Sequence, residues 1–156
     1  MEPLTFHLSS PAETFELGRR LGAVLREGDF VALTGELGAG KTLFVRGVAE
    51  GAGAEPATSP SFALANVYRG GGVTLQHLDL YRLSGPAELF ALGFEDIVAE
   101  PAATLCEWAD RASSALPADR LEISFAVTDT EERSASALAR GPRSAELLAA
   151  IAASGA

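Results

Sequence analysis

The sequence predicts a three-layer α/β fold built on a mixed central sheet, and three observations carry that prediction. A short, continuously apolar run, Phe30-Val31-Ala32-Leu33-Thr34, passes through a glycine-rich turn into a helical pattern from Lys41 to about Glu50. That is the strand, loop and helix order of a parallel α/β unit. Two pairs of β-like stretches, Ala63 to Tyr68 with Val73 to Leu78 and Leu121 to Val127 with Ser134 to Leu138, read as hairpins and so place antiparallel strands in the same sheet. With 156 residues, 47% of them hydrophobic, the chain has material for one packed core and is read as one domain, 1–156.

Taken in order, Leu4 to Leu8 forms a first strand. Ser10-Pro11-Ala12-Glu13 is a capping box with proline at the first helical position, opening a helix to about Arg26 whose apolar face is Phe15, Leu17, Leu21, Val24 and Leu25. Gly28-Asp29 marks a turn into the second strand. After the glycine-rich loop, Leu43, Phe44 and Val48 suit the second helix to packing on a sheet. A polar segment, Thr58-Ser59-Pro60-Ser61-Phe62, leads to the first hairpin, which turns around Gly70-Gly71-Gly72. Pro86 starts a further helix, and a short segment follows around Phe94 to Val98. Ala102 to Cys106 is an apolar strand ending in Glu107-Trp108. The second hairpin and a closing helix, Ser144 to Ala152, complete the chain.

Apolar runs are interrupted well short of the ~18 residues a membrane helix needs, and Met1-Glu2-Pro3 lacks the basic and apolar opening of an export signal, so the expected setting is away from membranes. Cys106 is the only cysteine, which leaves no partner for an internal disulfide and points to a reducing, cytoplasmic compartment. A net charge of −9 argues against a free-standing nucleic-acid binder, because counterion release requires a basic face. RNA, if involved, is expected to be held by a partner.

Eleven of the twelve basic residues are arginine, and the one lysine is Lys41. It stands in Gly35-Glu36-Leu37-Gly38-Ala39-Gly40-Lys41-Thr42, a match to G-x-x-x-x-G-K-[ST] in the strand-to-helix context that a P-loop requires. Such a loop turns successive N–H groups toward an anion at a helix N-terminus. Lys41 would bridge the outer phosphates, where a compact ammonium fits better than a planar guanidinium, and the Thr42 hydroxyl would ligate Mg²⁺. Magnesium also takes a carboxylate from a nearby strand end, and two are available, Asp79 after Leu78 and Glu107 after Cys106. Position alone does not rank them, since either could hold the metal while the other orients the attacking water. Thr58, Ser59 and Ser61 offer hydroxyls that could sense a γ-phosphate. His77 is read as a structural histidine, Trp108 as filling the core edge and Cys106 as a buried strand residue. The usual guanine motif needs a second lysine, so the nucleotide expected is adenine. A small-molecule kinase would need an arginine-rich lid that the sequence does not point to, and a nucleotide-binding regulatory module stays open beside an ATPase.

Gly35 to Thr42, Ser59 to Phe62, His77-Leu78-Asp79-Leu80-Tyr81-Arg82-Leu83 and Glu107-Trp108, in this order and spacing, resemble the TsaE (YjeE) family from about Leu4 to Ala152. The resemblance implies a P-loop ATPase required for threonylcarbamoyladenosine formation beside the anticodon of tRNAs that read codons starting with A. It further implies ATP and Mg²⁺ as ligands, and action in a complex with the TsaD and TsaB proteins through which tRNA would be met. Carried over by position, Gly35, Glu36, Leu37, Gly38, Ala39, Gly40, Lys41 and Thr42 hold phosphates, Thr42 and Glu107 ligate magnesium, and Asp79 joins Lys41 as a catalytic or switch group. Ser10 and Arg133 are placed near the base and ribose. Ser61 departs from the usual threonine and Ala109 from a common proline; the first keeps a hydroxyl and the second loosens a turn.

Overall fold

The protein's structure is a computed structural model that describes residues 2–36, 38–56, 65–80, 86–91, 93–109 and 115–154. The elements are β1 (Leu4–Leu8), α1 (Pro11–Gly22), β2 (Phe30–Gly35), α2 (Lys41–Ala52), β3 (Glu55–Pro56), β4 (Ala65–Arg69), β5 (Leu75–Asp79), α3 (Pro86–Ala91), α4 (Phe94–Ala99), β6 (Ala103–Glu107), β7 (Leu121–Val127), β8 (Arg133–Ala139) and α5 (Pro142–Ser154).

Eight strands form one sheet in the order β1-β8-β7-β2-β6-β5-β4-β3. The central four, β7, β2, β6 and β5, are mutually parallel. Antiparallel wings flank them, β8 and β1 on one side and β4 and β3 on the other. Both expected hairpins are therefore present, and they are what makes the sheet mixed. Because β2 runs between two parallel neighbours it is buried on both faces, which is why its sequence is continuously apolar rather than alternating.

The two faces carry different layers. Val31 and Leu33 of β2 join Leu75, Ala103, Leu105, Leu121 and Ile123 against the helices α1, α2 and α5. Phe30 and Ala32 join Leu78, Cys106 and the α4 residues Phe94 and Ile97 on the other face. Phe30 and Phe94 meet edge to face, with ring centroids 6.4 Å apart. Among the described residues, α4 covers the β2, β6 and β5 part of this face.

The closest helix contact is α1 on α2, and glycine makes it. A Cβ added at Gly18 would lie 2.2 Å from the Phe44 carbonyl oxygen, at Gly22 2.0 Å from that of Val48, at Gly47 2.1 Å from that of Phe15 and at Gly51 1.9 Å from that of Arg19. Two glycines four residues apart on each helix let the backbones touch. Reading only the large apolar residues of α1 finds the face toward the sheet and misses this one.

Other departures from the expected boundaries have local causes. Regular helix in α1 ends at Gly22 rather than near Arg26, where the Val24 carbonyl accepts from Arg143 Nη2 and the Arg26 N–H donates to Asp29 Oδ2. Helix α5 starts at Pro142, two residues before Ser144, because its first amides find an external acceptor. The N–H groups of Arg143 and Ser144 donate to the two oxygens of Asp119, and Ser144 Oγ accepts in return from Gly141 N–H. Asp119 supplies the cap that a glycine cannot. The two-residue strand β3 at the sheet edge was not foreseen, and its proline fits an edge position.

Candidate functional site

The site is assembled where the parallel strands end. On the α2-facing side of the sheet, the row Leu75, His77, Asp79 on β5 lies beside Ala103, Leu105, Glu107 on β6, with Asp79 and Glu107 paired in register. Each row is hydrocarbon at its start and polar at its carboxyl end. Crevices at such strand ends are where open α/β sheets hold ligands.

Between β2 and α2 the loop turns on Gly35, Gly38 and Gly40, with φ of +133°, +81° and +105°, values that side chains rarely adopt. Ala39, fully buried, pins the loop into the core, and Gly40 approaches Thr14 of α1, whose Cγ2 would lie 3.2 Å from an added Cβ. Gly40 is the N-cap of α2 and provides no side-chain hydrogen bond, and the first turn of α2 contains no acidic residue. By contrast, Ser10 Oγ caps α1 by accepting from Glu13 N–H, and Asp119 caps α5. An unprovided helix N-terminus with its positive dipole end suits an anion.

Facing the loop is a cavity of about 340 Å³ lined by Gly38, Gly40, Lys41, Thr42, Leu43, Asp79, Glu107 and Trp108. Lys41 is only 5% exposed. Its ammonium donates to the Gly35 carbonyl at 2.5 Å and lies 3.7 Å from the centroid of the Trp108 ring, a cation–π contact. Trp108 itself has φ +58°, among the described residues the one non-glycine in the left-handed region. Glu107 is 6% exposed and its Oε2 is 2.5 Å from His77 Nε2. Burial pushes the Cys106 thiol far above its ordinary value, helped by the charges of Asp79 and Glu107, so it sits as an inert strand residue on the opposite face.

The structure brings together Gly38, Gly40, Lys41, Thr42, Asp79 and Glu107 around one cavity. Gly35 and Glu36 lead into it from β2, and Ala39 supports it from the core. Arg133, the first residue of β8, reaches the loop, with Nε donating to the Gly38 carbonyl at 3.2 Å. Ser10 is not among the cavity's lining residues; its hydroxyl is engaged in capping α1. Leu37, Thr58, Ser59, Ser61 and the Tyr81 to Leu83 part of the acidic-strand motif lie outside the described residues. His77 and Trp108, read from sequence as structural, make direct contacts with Glu107 and Lys41. The available signal was their spacing, two residues before Asp79 and one after Glu107.

A divalent cation fits this donor set. Hydroxyl and carboxylate oxygens from Thr42, Glu107 and Asp79 are the hard ligands magnesium takes, and they border the same cavity as the loop. Among the described residues no three His, Cys, Asp or Glu side chains converge to hold a metal. Protein ligands alone would therefore be few, as suits an ion that also takes phosphate oxygens and water.

The family model "Threonylcarbamoyl adenosine biosynthesis protein TsaE" matches residues 8–135. Proteins named tRNA threonylcarbamoyladenosine biosynthesis protein TsaE are similar over most of the chain. The one from Treponema pallidum is 41% identical over 119 residues, covering 76% of this chain and 87% of its own. That from Bacillus subtilis is 34% identical over 144 residues, covering 92% and 90%. The crystal structure of Bacillus subtilis YdiB superposes with a TM-score of 0.83 at 30% identity, covering 99% of this chain and 97% of that one. Among the described residues no helix is long and apolar enough to cross a membrane.

Proposed function

Since the chain belongs to the TsaE family, we propose that it is a magnesium-dependent ATPase that acts in forming threonylcarbamoyladenosine on tRNA, within a complex containing TsaD and TsaB proteins. The observation that carries the reading is the uncapped N-terminus of α2, with Lys41 and Thr42 in its first turn, opening into the cavity that Asp79 and Glu107 close.

In this reading the N–H groups of the loop and of the first turn of α2 hold the β- and γ-phosphates, and the Lys41 ammonium exchanges the Gly35 carbonyl for phosphate oxygens. Thr42 Oγ1 and a Glu107 carboxylate oxygen would hold Mg²⁺, which when bound would offset negative charge on the outer phosphates. Asp79, exposed beside Glu107, orients the attacking water or senses the γ-phosphate. Arg133, bound to the loop at Gly38, and Ser10 at the start of α1 would stand toward the ribose and base. The protein would work in the cytoplasm, with tRNA met through the complex rather than by its own acidic surface.

The test is hydrolysis of ATP by the purified protein, alone and with TsaD and TsaB. Slow turnover alone, sped by the partners, is expected; absence of stimulation would refute the reading, and stoichiometric phosphorylation of a metabolite would replace it with a kinase. Lys41→Ala is expected to weaken ATP binding, and Glu107→Ala to remove the magnesium response. If Asp79→Ala abolishes that response while Glu107→Ala leaves it, the metal ligand is Asp79.

A further inference from the structure

His77 lies where the hydrophobic row of β5 turns polar. Behind it on the same face are Leu75 and, across on β6, Ala103 and Leu105, all at 1% exposure or less; ahead of it is Asp79. Its register partner is Leu105, but the ring reaches forward to the Glu107 carboxylate, two residues further along β6. Glu107 borders the cavity and His77 does not. The imidazole therefore stands behind the carboxylate, on the side away from the loop.

A glutamate side chain has three rotatable bonds, and a carboxylate at a strand end can turn either oxygen outward. Here a ring fixed on a neighbouring strand holds Oε2 at 2.5 Å, with the His77 and Glu107 side chains only 13% and 8% exposed. A carboxylate accepts, so Nε2 is the donor. Occupying one oxygen from behind leaves the other, Oε1, for the cavity. We infer that His77 is a positioning residue that fixes the Glu107 carboxylate for a divalent cation at the phosphate site. The inference rests on the reading above that Glu107 is a metal ligand. Such outer partners of metal ligands typically contribute about 10–100-fold to metal affinity.

Simply satisfying a buried carboxylate would give the same contact, so the test separates metal binding from folding. The full chain is loaded with a non-hydrolysable ATP analogue, and Mn²⁺ binding is followed by electron paramagnetic resonance; binding of the same analogue is measured separately in EDTA. For His77→Leu the expected result is Mn²⁺ binding weaker by about 10–100-fold, with metal-free analogue binding unchanged. His77→Gln, whose Nε2 reaches the position of the imidazole Nε2, is expected to recover most of the Mn²⁺ affinity. His77→Asn, whose amide reaches only as far as Nδ1, is not. Should the leucine variant fail to fold, the Gln and Asn pair decides. Wild-type Mn²⁺ affinity in the leucine variant, an equal loss of metal-free analogue binding, or rescue by Asn as complete as by Gln would each overturn the inference. A wild-type protein that bound no analogue would instead overturn the ATPase reading, and this inference with it.

Discussion

Replacing Gly47 by alanine sets two well-measured tendencies against each other. In an isolated helix the change is favourable by about 1 kcal/mol, because alanine restricts the unfolded chain and shields the backbone. In this structure the new methyl would lie 2.1 Å from the Phe15 carbonyl oxygen and 3.1 Å from the Arg19 nitrogen, whereas real Cβ contacts essentially never fall below 3.0 Å. Helices α1 and α2 would have to part by nearly an ångström. The opposing atoms are helical backbone, so no rotamer change relieves the contact, and parting the helices also loosens Gly18 on Phe44 and Gly22 on Val48. Overpacking of this kind costs about 1–3 kcal/mol, and with the interface loosened along its length the upper end applies, which leaves a net loss of about 2 kcal/mol after the propensity gain. The same shift moves the first turn of α2, which carries Lys41 and Thr42, and displacements of about 1 Å in a site can cost ~100-fold in activity. Urea unfolding of Gly47→Ala, with Gly72→Ala as the control where nothing lies within 4 Å of the added Cβ, measures the first effect; the rate of ATP hydrolysis measures the second. A Gly47→Ala protein more stable than wild type would show that helix propensity outweighs the contact, and the interface argument would fall.

Two further perturbations test the far end of the sheet. Arg143 forks onto both oxygens of Asp29 at 2.8 and 2.9 Å, and the Asp29 side chain is 2% exposed. Arg143→Ala removes the guanidinium and leaves that buried carboxylate with the Arg26 N–H, for an expected loss of about 3 kcal/mol in urea unfolding, the lower end for breaking a buried pair; Arg143→Lys should recover less than half of it, since an ammonium cannot fork. Asp119 is held below the ordinary carboxylate value of 3.8, first by the Ser144 hydroxyl and then by the Ser144 and Arg143 amides and the Arg143 charge. A depressed acid stabilises the fold above its unfolded value and stops doing so as pH falls through its lower folded value. Asp119→Asn should therefore flatten the acid limb of a stability profile below about pH 4 and leave its neutral limb parallel to wild type; an unchanged acid limb would remove Asp119 from the account.

The parts of the fold legible in the sequence were those written in side-chain type at fixed spacing. Phe30 to Thr34 showed a doubly covered strand because both faces select hydrocarbon, and Ser10 to Glu13 showed a helix start because the cap needs a hydroxyl. The Glu13 carboxylate in fact returns to Ser9 N–H rather than to Ser10, a difference of one residue that composition does not encode. Asp119 was illegible as a cap because it lies 22 residues before Gly141, the glycine whose missing side chain it replaces. The α1–α2 contact was missed because its signal is the absence of side chains at 18, 22, 47 and 51. In the site, loop and acids were named from sequence, while their pairing was not: only the register of β5 on β6 sets Asp79 beside Glu107 and lets His77 reach across.

The restriction of lysine to position 41 also acquires a physical setting. Lys41 is nearly buried at the carboxyl end of a parallel strand, and its ammonium meets a carbonyl oxygen and the face of an indole. A charged hydrogen bond contributes about 1.5–3 kcal/mol and a desolvated cation–π contact up to about 2. A guanidinium would span both with a rigid plane and could not swing from Gly35 to an anion above Gly38 without vacating the ring. Trp108 is set over Lys41 at φ +58°, a conformation that strains a side chain by about 1–3 kcal/mol and that the residue type would not suggest. That strain falls directly after Glu107, so the backbone that presents the acid also aims the ring. The helix end, the lysine, the acid and the indole thus border one cavity and are joined through the Lys41 ammonium and the Glu107-Trp108 backbone.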